Sequence, residues 1–238
     1  MFIIVDSIDG GGKSTIIETW KEVLTKQGNA VFDLKKYMQE TGRFPELSEL
    51  NGYDFIFSAE PTYVGVGAVI RQELIKKGTA YPVQALAEAY SLDRLILYTK
   101  IHIPLLKAGK CIIQDRSITT SLAYQSLPDP KFTMKKICAL PGNKLALANR
   151  PDFLVLVKID PTEAAHRLSA RTGKQDDAIF ENLPFLKKSA KQFFSSELKN
   201  IFTKRGTKVI HLNGNQKIDI MKQEASNLLN KILNKNIC

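Results

Sequence analysis

Short unbroken apolar runs recur along this chain, with longer stretches of helical pattern between them. Phe2–Val5 is the first run, and one of Val31–Leu34 and Tyr53–Phe57 supplies the second. Cys111–Gln114, Phe153–Ile159 and Lys208–Leu212 follow. Runs that are continuous rather than alternating suit strands buried on both faces. Helices are predicted over 14–26, 65–77, 83–107, 118–126, 162–172, 181–202 and 216–234. The alternation predicts an α/β fold of three layers, a parallel five-stranded sheet with helices on both faces. In such folds ligands bind at the carboxyl ends of the strands.

Two stretches interrupt the pattern. Residues 35–52 (KKYMQETGRFPELSELNG) are polar and contain Gly42, Pro45 and Gly52, which predicts an inserted excursion or loop. Residues 171–178 surround the polar segment TGKQDD between two helical runs, a composition that suits either a lid or an ordinary turn. No repeat, low-complexity tract or linker divides the chain, so its 238 residues are expected to form a single domain.

Composition narrows the partners. A hydrophobic content of 44% allows a sizeable core. No window approaches 18 apolar residues, so no membrane span is expected. The first apolar run is short and leads directly into Asp6 without a basic flank, as a first strand does and a signal peptide does not. Cys111, Cys138 and Cys238 are widely spaced, lack metal-ligand spacing and suit a reducing cytoplasm. The net charge of +10 fits nucleic acid or a small polyanion such as a nucleoside triphosphate. No nucleic-acid motif accompanies it, and the basic stretch from Pro184 to Lys208 reads as a solvated face.

The sharpest signal is DSIDGGGKST at residues 6–15. It matches G-x-x-x-x-G-K-[ST] except that Ser7 holds the place of the first glycine. The segment lies between a strand end and a helix start, where free N–H groups and the helix dipole favour an anion. Gly10, Gly11 and Gly12 permit close approach of backbone to phosphate, and Thr15 opens the helix. Lys13 is expected to reach the β- and γ-phosphates of ATP, and the Ser14 hydroxyl to ligate Mg²⁺. A serine serves at position 7 if its φ stays negative, or at a modest strain cost.

Four further groups carry chemistry. Glu60 follows the apolar run Tyr53–Phe57 at a strand tip ended by Pro61, near a metal or substrate hydroxyl. Arg71, on the next helix, has a fork suited to phosphate. Tyr90 and Arg94 are four apart on one helical face, able to stack on a base and donate to its carbonyl. Taken alone, that helix reads more simply as a core tyrosine beside a surface ion pair. Asp115 ends a buried strand where a metal-binding acid belongs, with Arg116 directly after it. Arg167, Arg171 and Lys174 flank the lid segment and are either phosphoryl-clamping cations or a solvated face.

Taken together, D-G-x-G-K-S-T, E-P-T, Y-x-x-D-R and D-R-x-x-x-x-S-x-A-Y-Q (residues 115–125) resemble the thymidylate kinase family of P-loop nucleoside monophosphate kinases, from Phe2 to about Asn200. The resemblance implies a P-loop NTPase fold, a homodimer packed through the helix at 83–107, and roles for individual residues. Asp9 would bind the acceptor sugar 3′-hydroxyl. Tyr90 would stack on thymine in place of the usual phenylalanine, and Arg94 would read O4. Arg71 and Arg116 would hold the monophosphate, with Glu60 near the metal and that phosphate. Ser121 and Gln125 would face the base edge and Tyr124 the deoxyribose. Because Gly10 follows Asp9, the catalytic basic residue would come from the lid, as Arg171. Ser7, Ala59, Ser117 and the long connection from Lys13 to Glu60 depart from the family pattern.

The expected reaction is Mg²⁺-dependent transfer from ATP to dTMP. A related kinase with another acceptor, a P-loop switch ATPase and a basic nucleic-acid module are the alternatives.

Overall fold

The computed structural model describes residues 1–79, 81–170 and 179–234. Six strands form one parallel sheet: β1 (Phe2–Asp6), β2 (Val31–Asp33), β3 (Phe55–Ala59), β4 (Cys111–Asp115), β5 (Phe153–Lys158) and β6 (Lys208–Asn213). Their spatial order is β2-β3-β4-β1-β5-β6. The sheet therefore has one strand more than expected. Val31–Asp33 and Phe55–Ala59 are both strands and pair with each other, Val31 opposite Phe55. β2 is a three-residue, half-buried edge strand, too short to impose a pattern.

Helices cover both faces, as the uninterrupted apolar runs require. On one face Ile3, Val5, Ile113 and Val155 pack against α1 (Lys13–Lys26) and the C-terminal helix Ile218–Leu233, where Trp20 Nε1 donates to Ala225 O at 2.8 Å. On the other face Phe2, Ile4, Ile112 and Leu154 meet the long helical stretch from Val83 to Lys107.

The polar stretch 35–52 is not a loop. It holds α2 (Leu34–Thr41) and a 3₁₀ turn (Leu47–Leu50), which bury Leu34, Met38 and Leu50. Asp33 caps α2 by accepting from Lys36 N at 3.0 Å. The sparse apolar residues point inward, and the polar majority covers the outer face.

The next helices are α3 (Gly65–Val69), which runs into a π turn (Ile70–Leu74), then α4 (Val83–Leu97), a π turn (Tyr98–His102) and α5 (Ile103–Lys107). Pro104 has no N–H to continue the ladder, and the turn before it widens. After β4 come α6 (Ile118–Tyr124), α7 (Met134–Ala139) and α8 (Pro141–Ala148). The sequence pattern did not reveal α7 and α8. α8 crosses α4 so closely that a Cβ on Gly142 would lie 1.8 Å from Ser91 O. α9 (Pro161–Ser169) follows β5. The predicted helix 181–202 is broken into α10 (Leu183–Phe193) and α11 (Ser196–Thr203), where Ser195 caps the second by accepting from Leu198 N. α12 (Ile218–Leu233) ends the fold. The predicted lid, 171–178, with Arg171 and Lys174, lies outside the described residues, as does Cys238.

Candidate active site

The carboxyl ends of β1, β3 and β4 lie side by side, with Ala59 paired to Asp115 and Val5 to Asp115. A cleft of about 970 Å³ opens there, floored by Asp9–Thr15 and walled by Glu60, Arg71, Asp115 and Arg116. A smaller cavity of about 90 Å³ shares Asp9, Glu60, Arg71 and Arg116 with it and adds Tyr90, Arg94 and Tyr124.

The loop adopts the conformation its glycines were expected to permit. Gly10 and Gly12 have φ of 78° and 89°, left-handed values that favour glycine. Arg116 alone among the described non-glycine residues has positive φ, so Ser7 fits without backbone strain. Its hydroxyl donates to Val157 O at 2.7 Å and fills the space above Gly11, where a Cβ would meet Ser7 Oγ at 2.0 Å. Lys13 Nζ donates to Ser7 O at 3.1 Å and Ile8 O at 3.0 Å. Burial, then the Arg116 charge, lowers its ammonium to about 8. Ser14 and Thr15 face the cleft at the first turn of α1. Asp115 shares that cleft, and its Oδ1 is buried without a hydrogen-bond partner.

Asp9 joins the two cavities. It accepts from Arg116 Nη2 and from the Tyr124 hydroxyl, the latter at 3.0 Å, while its own N–H donates to the Tyr124 oxygen at 3.0 Å. Arg116 is held at φ 66°, an arrangement that costs a non-glycine residue about 1–3 kcal/mol and clusters at functional sites. Beneath them Asp6 is fully buried, accepting from Ser7 N at 2.8 Å, Thr120 Oγ1 at 2.8 Å and Thr119 Oγ1. Burial raises its carboxyl above the usual range despite Arg116 and Lys13 nearby.

The ion pair expected at the surface is buried instead. Arg94 is 1% exposed and its partner is Glu60, at 3%. Arg94 Nε donates to Glu60 Oε2 at 2.8 Å, Nη2 donates to the same oxygen and to Ser121 Oγ at 3.3 Å, and Nη1 donates to Asn143 Oδ1 on α8. Gln114 Nε2 donates to Glu60 Oε1 at 2.8 Å. Glu60 therefore holds Arg94 rather than standing open to a metal. Burial pushes its carboxyl up to about 7 against the pull of Arg94. Of the guanidinium's five N–H groups, one Nη1–H has no partner among the described residues.

Tyr90 is half-buried on the wall of the smaller cavity, and burial pushes its hydroxyl up to about 12. Arg71 Nε donates to Pro61 O and Thr62 O, each at 3.1 Å, with its guanidinium 3.9 Å from the Tyr63 ring centroid. Ser121 and Gln125 are buried and line neither cavity; Gln125 Oε1 has no hydrogen-bond partner. Arg167 reaches the cleft, its Nε donating to Glu163 Oε1 at 2.7 Å.

Several residues at the site were not read from the sequence. Lys35 lies inside the segment read as a loop, and Tyr63 directly follows E-P-T without a motif of its own. Residues 215–218 and Met221, which line the cleft, also belong to no motif. Asn143 meets Arg94 across 49 positions and carries no local signal.

Residues 43–225 match the thymidylate kinase family model. That match covers most of the chain, and it decides the family. The chain belongs to the thymidylate kinase family. The match starts beyond the phosphate loop, but relatives extend over it. The probable thymidylate kinase of Methanosphaera stadtmanae is 29% identical over 237 residues, 98% of this chain and 99% of its own. That of Methanobrevibacter smithii is 30% identical over 190 residues, 79% of this chain and 76% of its own. The thymidylate kinase of Clostridium novyi is 25% identical over 231 residues, 96% of this chain and 97% of its own. The chain is thus a nucleoside monophosphate kinase, and ATP-dependent phosphorylation of dTMP to dTDP is its reaction. Membership displaces the switch-ATPase and nucleic-acid readings. No helix among the described residues is long and apolar enough to cross a membrane.

Proposed function

We propose that the two joined cavities hold ATP and dTMP end to end, and that the residues around them carry the phosphoryl transfer. One observation supports this above the rest: the cleft over the phosphate loop and the cavity beside Tyr90 and Arg94 share Asp9, Glu60, Arg71 and Arg116. Two guanidinium groups, Arg71 and Arg116, therefore stand where the two phosphate tails meet.

Gly10, Gly11 and Gly12 cradle the donor phosphates, and Lys13 leaves the carbonyls of Ser7 and Ile8 to neutralise the β–γ bridge. Ser14 and the unpartnered Asp115 Oδ1 fit Mg²⁺, a hard cation that takes one or two protein oxygens beside nucleotide phosphates. When bound, the metal supplies charge neutralisation across the phosphates. Among the described residues no cluster of three His, Cys, Asp or Glu side chains forms a metal cage.

On the acceptor side Tyr90 stacks on the base, and the remaining Arg94 N–H donates to a base carbonyl. Glu60, Asn143 and Ser121 are positioning residues that fix that donor. Arg71 and Arg116 hold the acceptor phosphate in line, and Asp9, fixed by Tyr124, accepts from the 3′-hydroxyl. Gln125 acts behind this wall. Arg171 supplies a further cation from the lid. The protein works as one kinase domain in the cytoplasm. It pairs as a homodimer through α4, whose Leu92 is 48% exposed, as is Val69, at 51%, on α3.

The test is ADP release in the presence of ATP, Mg²⁺ and dTMP, dUMP, dGMP or thymidine. Turnover greatest with dTMP and abolished by EDTA supports the reading. Equal turnover with dGMP, or ATP consumption that ignores every acceptor, defeats it.

A further inference from the structure

We propose that Lys35 is a phosphate-binding residue of the acceptor half-site, closing with Arg71 on the 5′-phosphate of the bound nucleoside monophosphate. The inference rests on the acceptor-site reading above.

The first turn of α2 fixes where Lys35 stands. One Asp33 oxygen accepts from Lys36 N at 3.0 Å, and the other takes the Lys21 ammonium at 2.6 Å. Leu34 and Met38 are anchored in the core. Lys35 is thereby turned to the cleft wall beside Ala59, Tyr63 and Arg71, while Lys36 goes to Glu40 at 3.8 Å.

Lys35 has no ion-pair partner among the described residues. Its ammonium sits 5.4 Å from the centroid of the Tyr63 ring, which already carries the Arg71 guanidinium at 3.9 Å. Two cations on one aromatic ring are attracted to its π-face but repel each other. The strand tip beside them offers no relief: Ala59 is uncharged, and both Glu60 oxygens are engaged by Arg94 and Gln114. A phosphate that reaches both cations offsets the repulsion and gives the exposed Lys35 an anionic partner. Arg71 supplies the planar fork and Lys35 a compact charge on a flexible stem, able to follow the phosphate as it arrives.

Calorimetric titration with dTMP and with thymidine separates a phosphate contact from a general disturbance of the pocket. Lys35→Ala is expected to weaken dTMP about tenfold, the scale of one charge-assisted hydrogen bond, while thymidine binds as before. Lys35→Arg should keep most of the dTMP affinity, and Lys36→Ala should match the wild type. The proposal is overturned if Lys35→Ala binds dTMP normally, or loses dTMP and thymidine in equal proportion. A wild-type protein that binds neither ligand refutes the acceptor-site reading itself, and this assignment with it.

Discussion

Nε and Nη2 of Arg94 converge on one oxygen of Glu60, and the pair is sealed from solvent at 1% and 3% exposure. An ion pair so placed gives little net stability, because taking both charges out of water offsets their attraction. Its use is geometric: it leaves the guanidinium one direction in which to donate.

The pair has a pH signature. Glu60 titrates near 7 in the folded chain against 4.5 for the ordinary group, so the folded state takes up its proton more readily than the unfolded one. Its contribution is fully present below 4.5 and is lost as pH rises through about 7. The unfolding free energy of wild type minus that of Glu60→Gln should fall over this window by on the order of 3 kcal/mol, then level off. Urea titrations from pH 4 to 8 measure it, and a flat difference would contradict the burial argument.

Lys13 gives a linkage of the same sign, to ligand rather than to folding. Its ammonium is held at about 8 when the loop carbonyls are its partners, and ATP prefers it charged. Affinity for ATP should therefore weaken above pH 8 by up to about tenfold per pH unit. Lys13→Met should bind weakly at every pH and lose turnover by about a hundredfold or more, with its melting temperature kept.

Ser7 and Gly11 form a steric couple. Gly11→Ala places a methyl 2.0 Å from Ser7 Oγ and 3.0 Å from Ile8 O, and should abolish ATP binding. Ser7→Gly with Gly11→Ala removes the first clash and leaves the second, so the double variant should recover part of the binding. If it recovers none, Ser7 is not what makes glycine necessary there.

Tyr90 is expected to act through its ring. Tyr90→Phe should leave the KM for dTMP within about twofold, whereas Tyr90→Ala should raise it by about tenfold, the scale of a lost base stack. Steady-state kinetics distinguish the two. A large effect of the phenylalanine variant would assign the role to the hydroxyl.

The features legible in the sequence were those whose partners are close along the chain. The run Phe2–Val5, the loop at 6–15 and the helix after it form one contiguous unit, and Asp115-Arg116 and Glu60 announce themselves as polar residues at the tips of apolar strands. The failures share a cause as well. β2, three half-buried residues, is too short to show a period, and α2 is mostly outward-facing, so its few buried residues did not stand out. Glu60 was placed at the right strand tip, but its engagement with Arg94 and Gln114 spans 34 and 54 positions and has no local trace.

The crossing of α8 over α4 carries a consequence for how base preference is inherited. With Gly142 pressed against the Ser91 carbonyl, α4 has no room to roll, and Tyr90 and Arg94 inherit their heading from a segment that lines neither cavity. Divergence in acceptor choice among related chains should accordingly track positions 142 and 143 as well as the pocket wall. An engineer seeking a new acceptor would gain more by regrafting that helix than by repainting the residues the base touches.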